Sequence, residues 1–113
     1  MKKIAIIGCG ISGLYFANKL LSKRIYDFTI YEKKSEIDLN DGYGIQLSVN
    51  SIKLLNEIGF NNITANEIFF PKRVNFFDAK TCKKICEIDI SKFNSENKRY
   101  TTLKRSILIK FLL

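Results

Sequence analysis

The sequence predicts an α/β fold: a βαβ unit first, then a helix and a β-hairpin. Three observations carry that prediction. An isoleucine-rich run, KIAII at residues 3–7, leads directly into glycines at positions 8, 10 and 13. Leu14, Ala17 and Leu21 then fall at i, i+3 and i+7, the stripe of an amphipathic helix. A second run, DFTIYEKK, is built of β-branched and aromatic residues, as strands are. Strand, glycine turn, helix and strand complete a βαβ unit within about thirty residues.

The elements follow in order. KIAII suits a strand buried on both faces. Lys19, Lys23 and Arg24 lie off the apolar stripe, and cations in a last turn suit a helix C-terminus. Residues 35–43 are polar, with Asn40, Asp41 and Gly42 marking a loop. GIQLS is a short strand. Asn50 is placed to cap a helix carrying Ile52, Leu55 and Ile58 on one face, which Gly59 stops. VNFFD and ICEIDI flank the polar AKTCKK as a hairpin, in which Cys86, Ile88 and Ile90 alternate with Glu87 and Asp89 as on a half-exposed strand. YTTL is one more strand. Ser106 is placed to cap a last helix from Ile107, whose residues Ile107, Leu108, Phe111, Leu112 and Leu113 are all apolar. No partner for that helix is evident, so self-association is expected and the sequence looks cut off.

Composition narrows the function. At 113 residues, 46% hydrophobic and 27% charged, the chain fits one small globular domain. No apolar run approaches the ~20 residues of a membrane span. The opening MKKIAIIGCG has the lysines of a signal peptide, but glycine interrupts it too early and no cleavage site follows, so a cytoplasmic protein is expected. The charge of +8 raises nucleic acid as a partner, but the lysines are scattered rather than gathered, which argues against it. Three cysteines, an odd number, do not make a disulfide framework. With no histidine, neither a zinc site nor a Ser-His or Cys-His nucleophile pair is expected. Any chemistry must come from a bound cofactor, or from elsewhere.

The glycines suggest which kind. Gly8 lets the chain leave the strand in a tight turn, Gly10 lets a pyrophosphate approach the backbone, and Gly13 lets the helix pack closely. N–H groups of the first turn (Ile11, Ser12 and Gly13) then face the phosphates, and Ser12 adds a hydroxyl. An acid, Glu32, stands nineteen residues beyond Gly13 at the end of the second strand. Its carboxylate can accept from both ribose hydroxyls and would repel a 2′-phosphate. Lys33 and Lys34 cut the other way, since a cation there can hold a phosphate; two solvated lysines is the simpler reading. Cys9 is either a small filler or a thiol activated by the helix terminus. The unit binds a dinucleotide on this reading, but does not by itself separate NAD from FAD.

The segment YEKKSEIDLNDGYGIQLSVNSIKLLNEIGF resembles the N-terminal third of the FAD-dependent aromatic-ring hydroxylases, the family of the salicylate, p-hydroxybenzoate and ubiquinone-biosynthesis hydroxylases. Glu32-Lys33 matches the family's acid and following basic residue. Gly42-Tyr43-Gly44-Ile45-Gln46-Leu47 matches its G-x-G-I-x-L segment, and Asn50, Leu55, Ile58 and Gly59 its next helix. Phe77-Asp78-Ala79-Lys80-Thr81-Cys82 resembles an F-D-x-x-T-G turn, with cysteine for glycine. Arg105, Ser106, Leu108 and Leu112 fit a segment whose arginine lies against the flavin, although Ile107 stands where an acid is common.

The resemblance implies a Rossmann-like FAD-binding βαβ unit within an incomplete three-layer domain, residues 1–113 being its N-terminal portion. It implies FAD as cofactor, with Gly8, Gly10, Ile11, Ser12, Gly13, Glu32, Lys33, Gly44 and Arg105 around it. The family's reaction is NAD(P)H- and O2-dependent hydroxylation through a flavin hydroperoxide. The middle Asp-Gly and C-terminal Gly-Asp motifs that complete the family's flavin site are absent from this sequence, Asp41-Gly42 being in the wrong place for the first, and so is the sheet that covers substrate. A chain of this kind is expected not to hydroxylate alone, and a complementary subunit or C-terminal fragment would be its partner. The rival expectations are a non-catalytic dinucleotide-binding module or remnant, and a small NAD-binding Rossmann protein.

Overall fold

A computed structural model describes residues 3–37, 39 and 42–113. Strand β1 (Ile4–Ile7) runs into helix α1 (Ile11–Ser22), and strand β2 (Phe28–Tyr31) returns parallel to β1, Ile4 opposite Phe28 and Ile7 opposite Tyr31. The βαβ arrangement is therefore present. Ala17 and Leu20 of α1 close over Ile6 in a small core that also takes in Ile4, Phe28 and Ile30.

Two details differ from expectation. The buried stripe of α1 is Leu14, Ala17 and Leu20, while Leu21 is largely exposed. Both leucines lie within reach of the stripe, and the packing selects the one aimed at β1. Nor is β1 buried on both faces: α1 covers Ile6, but Ile7 on the opposite face is 82% exposed. Among the described residues nothing lies over that second face.

A second sheet follows. Strand β3 (Gly44–Leu47) leads to helix α2 (Val49–Asn56), short 3-10 turns at Phe60–Asn62 and Ala65–Glu67, and the two-residue strand β4 (Ile68–Phe69). The N-cap of α2 is Ser48, whose hydroxyl accepts from the Ser51 amide, not Asn50, which already lies in the first turn. Gly59, at φ +95°, ends that region in the left-handed conformation that suits glycine. Asn40 and Asp41, read as loop residues, lie outside the described residues.

Strands β5 (Arg73–Phe77) and β6 (Lys84–Asp89) form the expected antiparallel hairpin. Asp78 organises its turn, its Oδ1 accepting from the Thr81 amide at 2.6 Å and the Thr81 hydroxyl at 2.7 Å. Cys82 sits at φ +53°, which shows why glycine would be at home in its place. The hairpin stands clear of the body: Phe76, Cys86 and Ile88 share a face with Val74, and the first three are exposed. Ile90 leaves the strand for a 3-10 turn and is buried. The radius of gyration, 17.4 Å, exceeds the ~13 Å of a compact chain of this length, in keeping with a projecting hairpin.

Strand β7 (Thr101–Lys104) then lies between β3 and β4, antiparallel to both. Helix α3 (Arg105–Leu112) follows without a break, so it starts two residues before Ile107 and Ser106 is inside it, not its cap. The largest correction concerns this helix. It does have a partner: Leu108 and Ile109 are fully buried and Leu112 nearly so, in one cluster with Leu14, Ile52, Leu55, Phe60 and Leu103. Asn18 on α1 donates its side-chain amide to the Leu112 carbonyl at 2.7 Å, and the Phe111 ring meets Phe60 edge-on at 5.3 Å. The reason given for self-association is thereby removed. The apolar side chains that remain exposed are spread over many elements, Ile7 of β1, Phe16 of α1, Phe69 of β4, and Phe76, Phe77, Ile85 and Ile88 of the hairpin among them. Among the described residues no helix is long and apolar enough to cross a membrane, and no group of His, Cys, Asp and Glu could hold a metal.

Leu108→Ala should cost about 2–5 kcal/mol of stability in denaturant titration, whereas Leu21→Ala should stay within about 0.5 kcal/mol. Equal effects at both positions would contradict α3 as the centre of the core.

Candidate functional site

The site starts where β1 ends. Gly8, at φ +96°, donates its N–H to the Tyr31 carbonyl at 2.7 Å, which ties the turn to the end of β2. Gly10 is the N-cap of α1 and has no side chain to fill the space before it: a Cβ there would meet nothing within 4 Å. Gly13 is the opposite case. A Cβ on it would lie 2.1 Å from the Gly8 carbonyl oxygen, so only glycine lets α1 lie against the turn. The early amides of α1 have no intrahelical acceptor, and the first turn holds no acidic residue. This end of the helix favours an anion.

Glu32 follows β2 and turns back across the glycine turn. Its Oε2 accepts from the Cys9 amide at 2.7 Å and its Oε1 from the Lys34 amide at 3.0 Å. The Lys34 amide first, and then that of Cys9, holds the carboxyl below the ordinary glutamate range. Glu32 is thus an anion oriented by two backbone donors. It retains lone pairs beyond the two in use.

A cavity of about 150 Å3 lies between the turn, the segment after β2 and the start of α3. Gly10, Glu32 and Arg105, three of the residues singled out from sequence, line it together. Arg105 is brought there by the β7–α3 junction, where its N–H donates to the Tyr43 carbonyl at 3.1 Å. Gly8 and Gly13 shape the turn without lining the cavity. Ile11 is half-buried and packs against the main core, and Ser12 is exposed. Gly44 is exposed and pairs with Lys104, one residue from Arg105. Lys33 does not line the cavity; Lys34 does. The chain bends after Tyr31, so strand alternation no longer decides which lysine faces inward. Cys9, weighed in the sequence as filler or thiol at this turn, lines the cavity too, while Glu36 and Ile37 were missed. Only the Cys9 position, inside the glycine turn, gave a sequence signal.

Fold and site together define an α/β protein with a glycine turn between parallel strands and an acid closing that turn. Comparison with known proteins narrows the class. No family model matches the chain. Over 57 residues, half of the chain, it is 35% identical to the FAD-dependent monooxygenase dpasE of Apiospora sacchari, of which the match covers 12%. In fold, 98% of the chain matches 25% of 2,6-dihydroxypyridine-3-hydroxylase from Arthrobacter nicotinovorans, with a TM-score of 0.68 and 19% identity. The chain therefore spans a small part of both of these proteins. In sequence the chain is similar to an FAD-dependent monooxygenase, and its fold is that of part of a hydroxylase.

Two outcomes check the site. Gly13→Ala should lower stability by about 1–3 kcal/mol; a neutral result would contradict the close approach to Gly8. The pH dependence follows from the lowered Glu32 carboxyl. Its contribution is present above the unfolded-state value and is lost as pH falls through the lower folded-state value. Glu32→Gln should accordingly flatten the acid limb of stability against pH. An acid limb identical to that of the parent chain would mean that the two amides do not stabilise the carboxylate.

Proposed function

We propose that the chain forms the ADP-binding portion of an FAD site in a flavin-dependent monooxygenase. One observation carries the reading: Gly10, Glu32 and Arg105, from three separate segments, line one cavity at the N-terminus of α1. The relationship to FAD-dependent monooxygenases supports it.

The residues present fit the group. The open backbone at Gly10 admits a pyrophosphate, and the first-turn amides of Ile11, Ser12 and Gly13 supply its donors. Gly8 and Gly13 hold those amides in place. Glu32 accepts from the ribose hydroxyls with the lone pairs that Cys9 and Lys34 leave over. Arg105 adds a cation on the far wall, and Gly44, beside it across the β3–β7 pair, keeps the approach clear of a side chain. Lys33 takes a place outside this cavity, where it serves at most as a distant cation; Lys34 is the nearer one.

FAD, when bound, supplies the redox and oxygen chemistry, with NAD(P)H as the reductant of the complete enzyme. The chain's own part is to bind and orient. Hydroxylation belongs to the assembled enzyme, in which a complementary polypeptide or further segment provides the substrate cover and the rest of the flavin site.

Titration of the chain with FAD, followed by flavin fluorescence, tests the reading, with NAD as competitor and Glu32→Ala alongside. Saturable FAD binding is expected, weakened about tenfold or more by the substitution, equivalent to about 1.4 kcal/mol, and little affected by NAD. A folded chain that does not bind FAD, or that prefers NAD, would overturn it.

A further inference from the structure

A second cavity, of about 200 Å3, shares no lining residue with the first. Strand β7 connects the two: Thr101, its first residue, lines this cavity, and Arg105, just past its last, lines the other. The two positions are four residue steps apart, about 13 Å along the strand. The floor is apolar and comes from several elements, with Ile52 and Phe60 buried and Ile63, Ile68 and Phe70 beside them.

Charge enters at one edge only. Glu96 and Arg99 line the cavity from a tight turn in which Ser95 and Lys98 exchange backbone hydrogen bonds at 2.9 and 3.1 Å. The turn is fixed to α2, since Asn56 donates its side-chain amide to the Asn97 carbonyl at 2.7 Å. The Arg99 guanidinium lies 5.4 Å from the centre of the Phe70 ring. Among the described residues neither Glu96 nor Arg99 takes part in an ion pair. Asn56 Oδ1, in the wall, is buried with no hydrogen-bond partner, an acceptor that a donor in the cavity is suited to satisfy.

These features define a ligand. The apolar floor selects an apolar body. The volume, below the ~300–1,000 Å3 of cavities for drug-sized molecules, limits that body to about one side chain. A simple anion would face Glu96 and a simple cation Arg99, so neither sign alone suits the edge. We propose that this cavity binds a free apolar α-amino acid, with its side chain on the floor, its carboxylate at Arg99 and its ammonium at Glu96.

Calorimetric titration with L-phenylalanine tests this, using N-acetyl-L-phenylalanine and L-phenylalaninamide as probes lacking one charge each. Glu96→Gln and Arg99→Gln are the variants, both at exposed side chains that the fold does not need. Saturable binding of L-phenylalanine is expected, with each modified probe and each variant weakened about fivefold or more. Added FAD should leave that binding unchanged. Absence of saturable binding would overturn the proposal, and so would equal binding of the three probes or indifference to both substitutions. Displacement of L-phenylalanine by FAD would overturn it too, by assigning the ligand to the glycine turn.

Discussion

Everything else in the molecule rests on α3 lying against α1. Burial of Leu108, Ile109 and Leu112 beside Leu14 joins the parallel pair β1–β2 to the antiparallel sheet around β7. The Asn18 amide on the Leu112 carbonyl adds direction to a contact that apolar packing alone would leave free to slide. The hairpin does not span the two sheets, and α2 adds a lighter link, the Tyr15 hydroxyl donating to the Leu54 carbonyl at 3.4 Å and Lys19 pairing with Glu57. The same contact sets the site, because the first residue of α3 is Arg105. A helix needed for the core therefore delivers a cation to the glycine turn.

The turn itself shows how two glycines with one sequence signature do opposite work. At Gly13 a side chain is excluded by protein, the Gly8 carbonyl, and the gain is close packing. At Gly10 a side chain is excluded by nothing in the protein, so the open space is available to a ligand. Glu32 joins these halves. Its carboxylate takes the Cys9 amide from within the turn and the Lys34 amide from beyond β2, so one anion orders both walls of the cavity. Ion pairing contributes elsewhere, as between Lys19 of α1 and Glu57 after α2, but that pair is exposed and worth little beside the core.

The parts legible in the sequence are those set by local backbone physics. Glycine spacing, the polar turn between β5 and β6 and the stop at Gly59 each follow from what a few neighbouring residues can adopt. The half-exposed alternation expected of β6 did not hold, because the strand is exposed on both faces up to Ile88. Glu32 was legible because its position follows from the length of one helix and one strand. The rest depended on tertiary packing. Leu20 and Leu21 both lie near the apolar stripe, and only the direction of β1 separates them. Asn50 and Ser48 are both good caps, and the choice lies in where the extended backbone ends. The partner of α3 was invisible because Leu14 and Leu112 lie at opposite ends of the chain. Lys34 displaced Lys33 because the backbone bends just where alternation would have been used to choose.

That separation along the chain also shapes how the protein acquires its structure. The Asn18–Leu112 bond closes a loop of 94 residues, and loop-closure entropy must be met before such a contact returns any stability. The pairings within the hairpin are local in sequence, but the βαβ unit alone leaves the Leu14 side of α1 uncovered until α2 and α3 pack on it. Folding should therefore proceed with early local pieces and one late, rate-limiting docking. During that interval the apolar face of α1 is the surface most in need of protection.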